Sequence, residues 1–204
     1  MALEKLLSIL SSFSFNRIFI VYSNTAVTSP LFTPESMTTA GGRMDVIARS
    51  ILYALHDAYE QRRDVLFIGL LNGPPKPPVA LYVWRLPAYA RSEFSVGELI
   101  REALSGVKVG GFEAEEAKAL QIFQLVKRTH QLYLLDETGK SYKSFDFTGK
   151  KAFLLGDHIG IPRQLLDAVI SILDGVISLG PKPYLTSHCI AFLNELMDRS
   201  LHQS

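Results

Sequence analysis

Two groups of residues in this chain have the types for chemistry. In "FLLGDHIG", residues 153–160, Asp157 and His158 sit side by side between Gly156 and Gly160. They read as two metal ligands or as an acid/base dyad. Adjacent residues in an extended loop point apart, and no third ligand is evident. A structural role fits better, with Asp157 bonding loop N–H groups and His158 partly buried. The second group lies upstream. "GGRMDVIAR" puts Arg43, Asp45 and Arg49 near the start of a helix, and "RRD" adds Arg62, Arg63 and Asp64. Arg43 and Asp45 cannot share a helix face at that spacing, yet both can project from where the helix begins. The alternative is a solvated helix with ordinary capping charge. Cys189, near another helix start, is either a favoured thiolate or a small apolar packing residue.

The glycines offer a different chemistry. "LLGDHIGIP" and "ISLGPKPYLTSHC" each place a glycine at the C-terminal end of an apolar run, just before a helix. Ligands bind at such strand ends in open α/β sheets, and glycine lets backbone come close to a flat ligand. Two such loops from neighbouring strands make a pocket of N–H and C=O groups, which suits a purine edge. The common alternatives are absent. There is no G-x-G-x-x-G after the first strand, no G-x-x-x-x-G-K-[ST], and no G-x-S-x-G or H-E-x-x-H.

Elements must hold these groups in place. "RIFIVYS" (17–23), "DVLFIGLL" (64–71), "VALYVWRL" (79–86), "KAFLLG" and "GVISLG" read as strands, the second apolar throughout as if buried on both faces. Residues 43–61 carry apolar positions Ile47, Ile51, Ala54, Leu55 and Ala58 at helical spacing. Ser95 with Glu98 reads as a capping box with Gly106 ending that helix. Further helices are expected at about 113–128, at 163–173 behind Pro162, and from Thr186 or Ser187 through Leu201. "QLYLLDETGKSYKSF" reads as a strand, a turn at "ETGK" and a return. The loop at 24–42 is long enough to be functional or mobile. Strands alternating with helices imply an α/β fold with a mostly parallel sheet flanked by helices. We expect one domain over 17–204, preceded by an extension at 1–16 carrying a short amphipathic helix.

Composition narrows the class. With 204 residues, 48% hydrophobic and 20% charged, the chain can bury a sizeable core. The formal charge is +1, so any RNA site must come from local clustering and not from bulk basicity. A single cysteine rules out an internal disulfide, points to a reducing cytoplasm and excludes a thiolate zinc site. "MALEKLLSILSSFSF" is too short and polar to span a membrane and lacks a cleavage site.

"GGRMDVIAR", "RRDVLFIGLLNGPPKPP", "FLLGDHIGI" and "ISLGPKPYLTSHCI", in this order, resemble the archaeal tRNA (pseudouridine-54-N1)-methyltransferases of the SPOUT superfamily. The resemblance spans about residues 17–200. It implies an α/β domain whose C-terminal part threads a deep trefoil knot, a homodimer, and S-adenosyl-L-methionine (SAM) as cofactor. The implied cofactor positions are Leu135, Gly156, Leu179, Gly180, Leu185 and Cys189. The implied reaction moves the cofactor's methyl group to N1 of a pseudouridine in the T-loop of tRNA, with no metal. On that reading Asp45 is the base or a base-positioning carboxylate. Arg43 and Arg49 lie near the target base or its phosphate, and Asp157 is a second candidate base. Arg62, Arg63, Lys76 and Arg85 are candidate RNA contacts, and the 24–42 loop is a segment that could order on RNA. The alternatives are a ribosomal-RNA pseudouridine N1-methyltransferase and a non-catalytic RNA-binding module.

Overall fold

The computed structural model describes residues 3–57 and 59–201. In chain order the elements are α1 (Glu4–Ser12), β1 (Arg17–Ser23), α2 (Met44–Leu55), β2 (Val65–Leu71), β3 (Val79–Val83), α3 (Glu93–Leu104) and β4 (Phe112–Glu116). After them come α4 (Ala119–Val126), β5 (Gln131–Ser141), β6 (Lys151–Gly156), α5 (Arg163–Val169), β7 (Gly175–Ser178) and α6 (Thr186–Leu201). Among the described residues, seven strands form one sheet in the order β4-β3-β2-β1-β6-β5-β7. The pairings β1–β2, β1–β6, β5–β6 and β5–β7 are parallel, and β2–β3 and β3–β4 are antiparallel. The mostly parallel α/β reading therefore holds.

Side chains alternate across a strand, and β1 feeds two cores. Phe19 and Val21 join Ile47, Ile51, Val96 and Leu193 under α2, α3 and α6. Ile18 and Ile20 join Leu6, Ile9, Phe123 and Val169 under α1, α4 and α5. Each face of the central strands is covered, which explains why Val65–Leu71 is apolar and buried at every position. The expected N-terminal helix is present as α1. Its first turn is held by the Glu115 carboxylate, which accepts from Lys5 N at 3.2 Å and Leu6 N at 3.3 Å. That is a favourable place for negative charge.

Several sequence expectations shift. The helix from residue 43 ends at Leu55, where His56 turns extended (φ −110°, ψ 142°). Ala58, expected within it, lies outside the described residues. The third helix is capped three residues before the expected cap. Ser92 is the N-cap and Ser95 its reciprocal partner, the two sharing a capping box. Residues expected to open a helix at 113 instead form β4, because Phe112–Glu116 pairs along β3 before α4 begins. "QLYLLDETGKSYKSF" makes no hairpin. β5 continues past a bulge between Leu135 and Lys140, both of which face Ile177 of β7. The long 24–42 loop is packed. Val27 N donates to Gly41 O at 3.2 Å and Thr28 N to Pro74 O at 2.9 Å, while Phe32 and Met37 are buried in the α2-side core.

Parallel strands deliver their C-terminal ends to one end of the sheet. Ser23, Leu71, Gly156 and Ser178 therefore emerge together, and the loops that follow them meet there.

Candidate active site

The bulged stretch of β5 and the loops after β6 and β7 enclose a cavity of about 330 Å³. Leu135, Gly156, Leu179, Gly180 and Cys189 all line it, so five of the six expected cofactor positions come together. Leu185, the sixth, lines an adjoining pocket of about 130 Å³ instead. Apolar side chains of Leu134, Leu155 and Ile177 make part of the larger wall. Asp136 and Glu137 come from the bulge, and Lys182 from the loop after β7. That mixture suits a ligand with a flat ring and an end carrying both charges.

The glycines shape the walls. A Cβ on Gly156 would lie 2.9 Å from the Cα of Gly160, so only glycine lets the 156–160 loop fold back on itself. Gly160 has φ 86°, a region that glycine tolerates. A Cβ on Gly180 would lie 2.6 Å from the Tyr184 hydroxyl.

Asp157 is buried and structural, as the loop reading anticipated. It accepts from Asn24 N at 2.7 Å, Asn24 Nδ2 at 2.9 Å, Ser23 Oγ at 3.2 Å and Ile159 N at 2.9 Å. Asn24 Nδ2 also donates to Gly160 O at 2.6 Å, and Thr186 Oγ1 donates to Gly156 O at 2.8 Å. These bonds join the β1, β6 and α6 ends into one frame. Asn24 and Ser23 were invisible as site residues in the sequence. The one available signal was an Asn directly after a strand's C-terminal end. His158, expected to be partly buried, is exposed, because Asp157 takes the inward position and the next side chain points out. No group of three or more His, Cys, Asp or Glu side chains suited to a metal occurs among the described residues.

The smaller pocket shares walls with the larger one and brings in the upstream arginines. Arg43 and Arg49 line it beside Asp157 and His158. Arg43 grips Asp45 with a fork, Nε to Oδ1 at 2.9 Å and Nη2 to Oδ2 at 3.1 Å. Arg49 grips Glu93 in the same way, at 2.7 and 3.0 Å, and approaches Asp45 at 3.6 Å. Burial pushes the Asp45 carboxyl up, but the Arg43 hydrogen bonds and the charges of Arg43 and Arg49 outweigh it and hold the group below its ordinary value. Asp45 is only 4% exposed and lines neither cavity, standing behind the two guanidinium groups. Arg43 is the one non-glycine residue with positive φ (71°) among those described. Such a conformation costs roughly 1–3 kcal/mol and clusters at functional sites. Gly42 before it is left-handed too, and a Cβ there would lie 1.9 Å from Thr25 O. The pair of left-handed residues turns the chain into α2 so that Arg43 faces the pocket.

Cys189 carries a thiol that burial pushes up to about 11, which leaves a protonated packing group and not a nucleophile. Of the four expected RNA contacts, Lys76 is exposed on the loop after β2, at the cavity's end of the sheet. Arg62 and Arg63 precede β2, and Arg85 follows the antiparallel β3, so these three lie at the opposite end. Arg62 is further tied to Asp198 by two bonds of 2.8 and 2.7 Å.

Comparison with known proteins gives this geometry a context. Two curated proteins named tRNA (pseudouridine(54)-N(1))-methyltransferase are similar across nearly their whole length. The one from Pyrococcus abyssi is 33% identical, covering 90% of this chain and 98% of that protein. The one from Methanocella arvoryzae is 34% identical, covering 90% and 99%. Among solved structures, Archaeoglobus fulgidus Nep1 bound to S-adenosylhomocysteine superposes with a TM-score of 0.64 at 15% identity, covering 93% of this chain and 100% of that one. The SpoU methyltransferase AviRb from Streptomyces viridochromogenes gives 0.52 at 16% identity, over 96% and 65%. These two likenesses concern the fold. Residues 16–201 match the family model described as "Putative SAM-dependent RNA methyltransferase", and the chain belongs to that family.

Proposed function

We propose that this protein is a SAM-dependent enzyme that methylates N1 of pseudouridine 54 in the T-loop of tRNA. The observation that carries the reading is the pair of adjoining cavities, one built of loop backbone at the strand ends and the other faced by two oriented arginines. The residues suit SAM. Leu135, Leu179, Gly156 and Gly180 would hold the adenosine part, and Asp136, Glu137 and Lys182 offer both charges to the methionine part. When bound, SAM supplies the electrophilic methyl group of its sulfonium. The name shared by the Pyrococcus and Methanocella relatives supports tRNA as the acceptor.

The chain's own residues then have separate tasks. Asp45 serves as a positioning carboxylate: it stays ionised, fixes the Arg43 fork and steadies Arg49. The fork uses Nε and Nη2 of Arg43, so the outer edge of the guanidinium remains for a uracil carbonyl or phosphate. A cation there stabilises negative charge that develops as N1 loses its proton. Alignment of N1 supplies the rest of the gain. Lys76 extends the contact along the RNA backbone, and the exposed Arg63 and Arg85 would serve only a ligand that reaches the far end of the sheet.

The reading includes a C-terminal trefoil knot, a single methyltransferase domain over 17–204 and a cytoplasmic homodimer. Partly exposed Phe192 and Leu196 on α6, with exposed Leu185 before it, supply apolar surface for a second copy. No described helix is long and apolar enough to cross a membrane. The test is methyl transfer to tRNA and ribosomal-RNA fragments with and without pseudouridine. Transfer confined to pseudouridine-containing tRNA is expected. Equal methylation of uridine tRNA overturns the N1 chemistry. Preference for the ribosomal fragment moves the substrate, and no SAM binding at millimolar cofactor leaves an RNA-binding module.

A further inference from the structure

We infer that His158 and Tyr184 are the stacking walls that hold the target base where the two cavities meet. The larger cavity and the arginine pocket share five residues: Gly156, Asp157, His158, Tyr184 and Thr186. Three of these are committed to the frame. Thr186 Oγ1 is bonded to Gly156 O at 2.8 Å, and the Asp157 carboxylate accepts from Asn24 and Ser23. His158 and Tyr184 are different. Both are exposed, Tyr184 to 51%. Neither the imidazole nor the phenol makes a hydrogen bond within the described chain. Each belongs to a loop whose geometry is set by glycine: His158 lies between Gly156 and Gly160, and the Tyr184 hydroxyl rests where a Cβ on Gly180 would stand.

An exposed aromatic ring with no internal hydrogen bond has hydrophobic area and a π-face to offer, and Tyr184 rests against Gly180 on one side only. A flipped pyrimidine arriving between cofactor and arginines presents two faces that have lost their stacking neighbours. Rings beside the passage restore that contact without reading the base's edge, which stays available to Arg43. Stacking is tolerant of ring identity. The roles of the two residues are therefore positioning, not proton transfer, and they are distinct from those of the arginines.

This inference rests on the pseudouridine methyltransferase reading, and the experiment separates the two. Alanine and phenylalanine variants at each position are compared with the unaltered protein. Two affinities are measured, for S-adenosylhomocysteine alone and for a T-loop RNA hairpin with S-adenosylhomocysteine present, together with kcat and KM for tRNA. His158→Ala and Tyr184→Ala are expected to weaken hairpin binding roughly tenfold each. His158→Phe and Tyr184→Phe should stay within about twofold of the unaltered protein, and S-adenosylhomocysteine affinity should move by less than about twofold throughout. Hairpin binding unchanged in the alanine variants overturns the inference while leaving the reaction intact. So does a His158→Phe protein as inactive as His158→Ala, which would make the imidazole a proton carrier. A parallel loss of S-adenosylhomocysteine affinity would make both residues cofactor walls and also overturn it. If the unaltered protein transfers no methyl to pseudouridine tRNA, the proposed function falls and this inference with it.

Discussion

The two ends of the sheet use the same pairing, arginine to carboxylate, for opposite purposes. At the end where strand C-termini emerge, Arg43 and Arg49 are held from behind by Asp45 and Glu93, and their side chains remain 39% and 31% exposed. At the other end Arg17 is 1% exposed and donates to Asp198 at 2.9 Å, to Asn194 Oδ1 at 3.0 Å and to Asp64 at 3.1 Å. Arg62 closes the same network on Asp198. The residue types match, but Arg43 and Arg49 each fork onto one carboxylate and stay partly open, whereas Arg17 spreads its two Nη groups over Asp198 and Asp64 and is buried. A cation with one face free can meet an incoming anion, whereas a cation with every face covered can only hold the fold. The network fastens β1 to the C-terminal half of α6, while the N-terminal half of α6 contributes Thr186 and Cys189 to the cavity. The closed end thus supports the wall of the open end.

Removing a charge at the closed end should produce the largest effect. Arg17→Ala removes the fully buried cation that Asp64 and Asn194 share and leaves Asp198 with Arg62 as its remaining partner. Breaking a buried pair from one side costs about 3–5 kcal/mol. Urea unfolding should show that loss, and a change under about 1 kcal/mol would mean that the network is as replaceable as a surface pair.

The open end should respond in activity instead. Asp45→Asn leaves Arg43 a neutral and weaker partner, so the left-handed turn at Arg43 is no longer over-determined. We expect kcat/KM for tRNA to fall roughly 100-fold, about 2.7 kcal/mol, the scale of losing one oriented electrostatic contact. S-adenosylhomocysteine affinity should change little, and stability should fall by about 1 kcal/mol or less because the freed guanidinium can reach water. Arg43→Lys keeps the charge but not the fork and should fall between the two proteins. If Asp45→Asn destabilises as much as Arg17→Ala, the contrast between the ends is wrong.

The contrast also marks what could be read in the sequence. β1 and β6 fall at their expected bounds, since short apolar runs ended by polar loops leave few choices. The glycine loops were legible because glycine after a buried strand has a local meaning. Arg62 could not be told from Arg43 by type or spacing. One sits before a strand and the other before a helix, and which end of the sheet each occupies depends on strand direction across the whole fold. β4 was missed for a related reason. "FEAEE" alternates over only four residues, with alanine as its second apolar position, and becomes a strand because β3 offers an edge. The role of Asn24 was equally hidden, since its partners Asp157 and Gly160 lie more than a hundred residues away.

The smallest of the three effects is a pH dependence that belongs to the closed end. His130 is buried before β5, with Nε2 3.1 Å from Phe15 O and Nδ1 2.8 Å from Thr129 Oγ1. Burial lowers its pKa from the ordinary 6.5 to about 4. The folded chain therefore takes up this proton less readily than the unfolded chain. The ring's contribution to stability is complete above pH 6.5, declines as pH falls, and levels off below about 4. Between pH 7.5 and 5 the loss is about 2 kcal/mol by linkage. His130→Gln, which keeps a donor and an acceptor but cannot titrate there, should flatten that slope in urea unfolding at the two pH values. The pH profile of methyl transfer should be unchanged by the same substitution, because His130 lies across the sheet from the arginines. A slope that survives His130→Gln would place the sensitive group elsewhere. A methyl-transfer profile that shifts with His130→Gln would mean that the closed end does more than support the site.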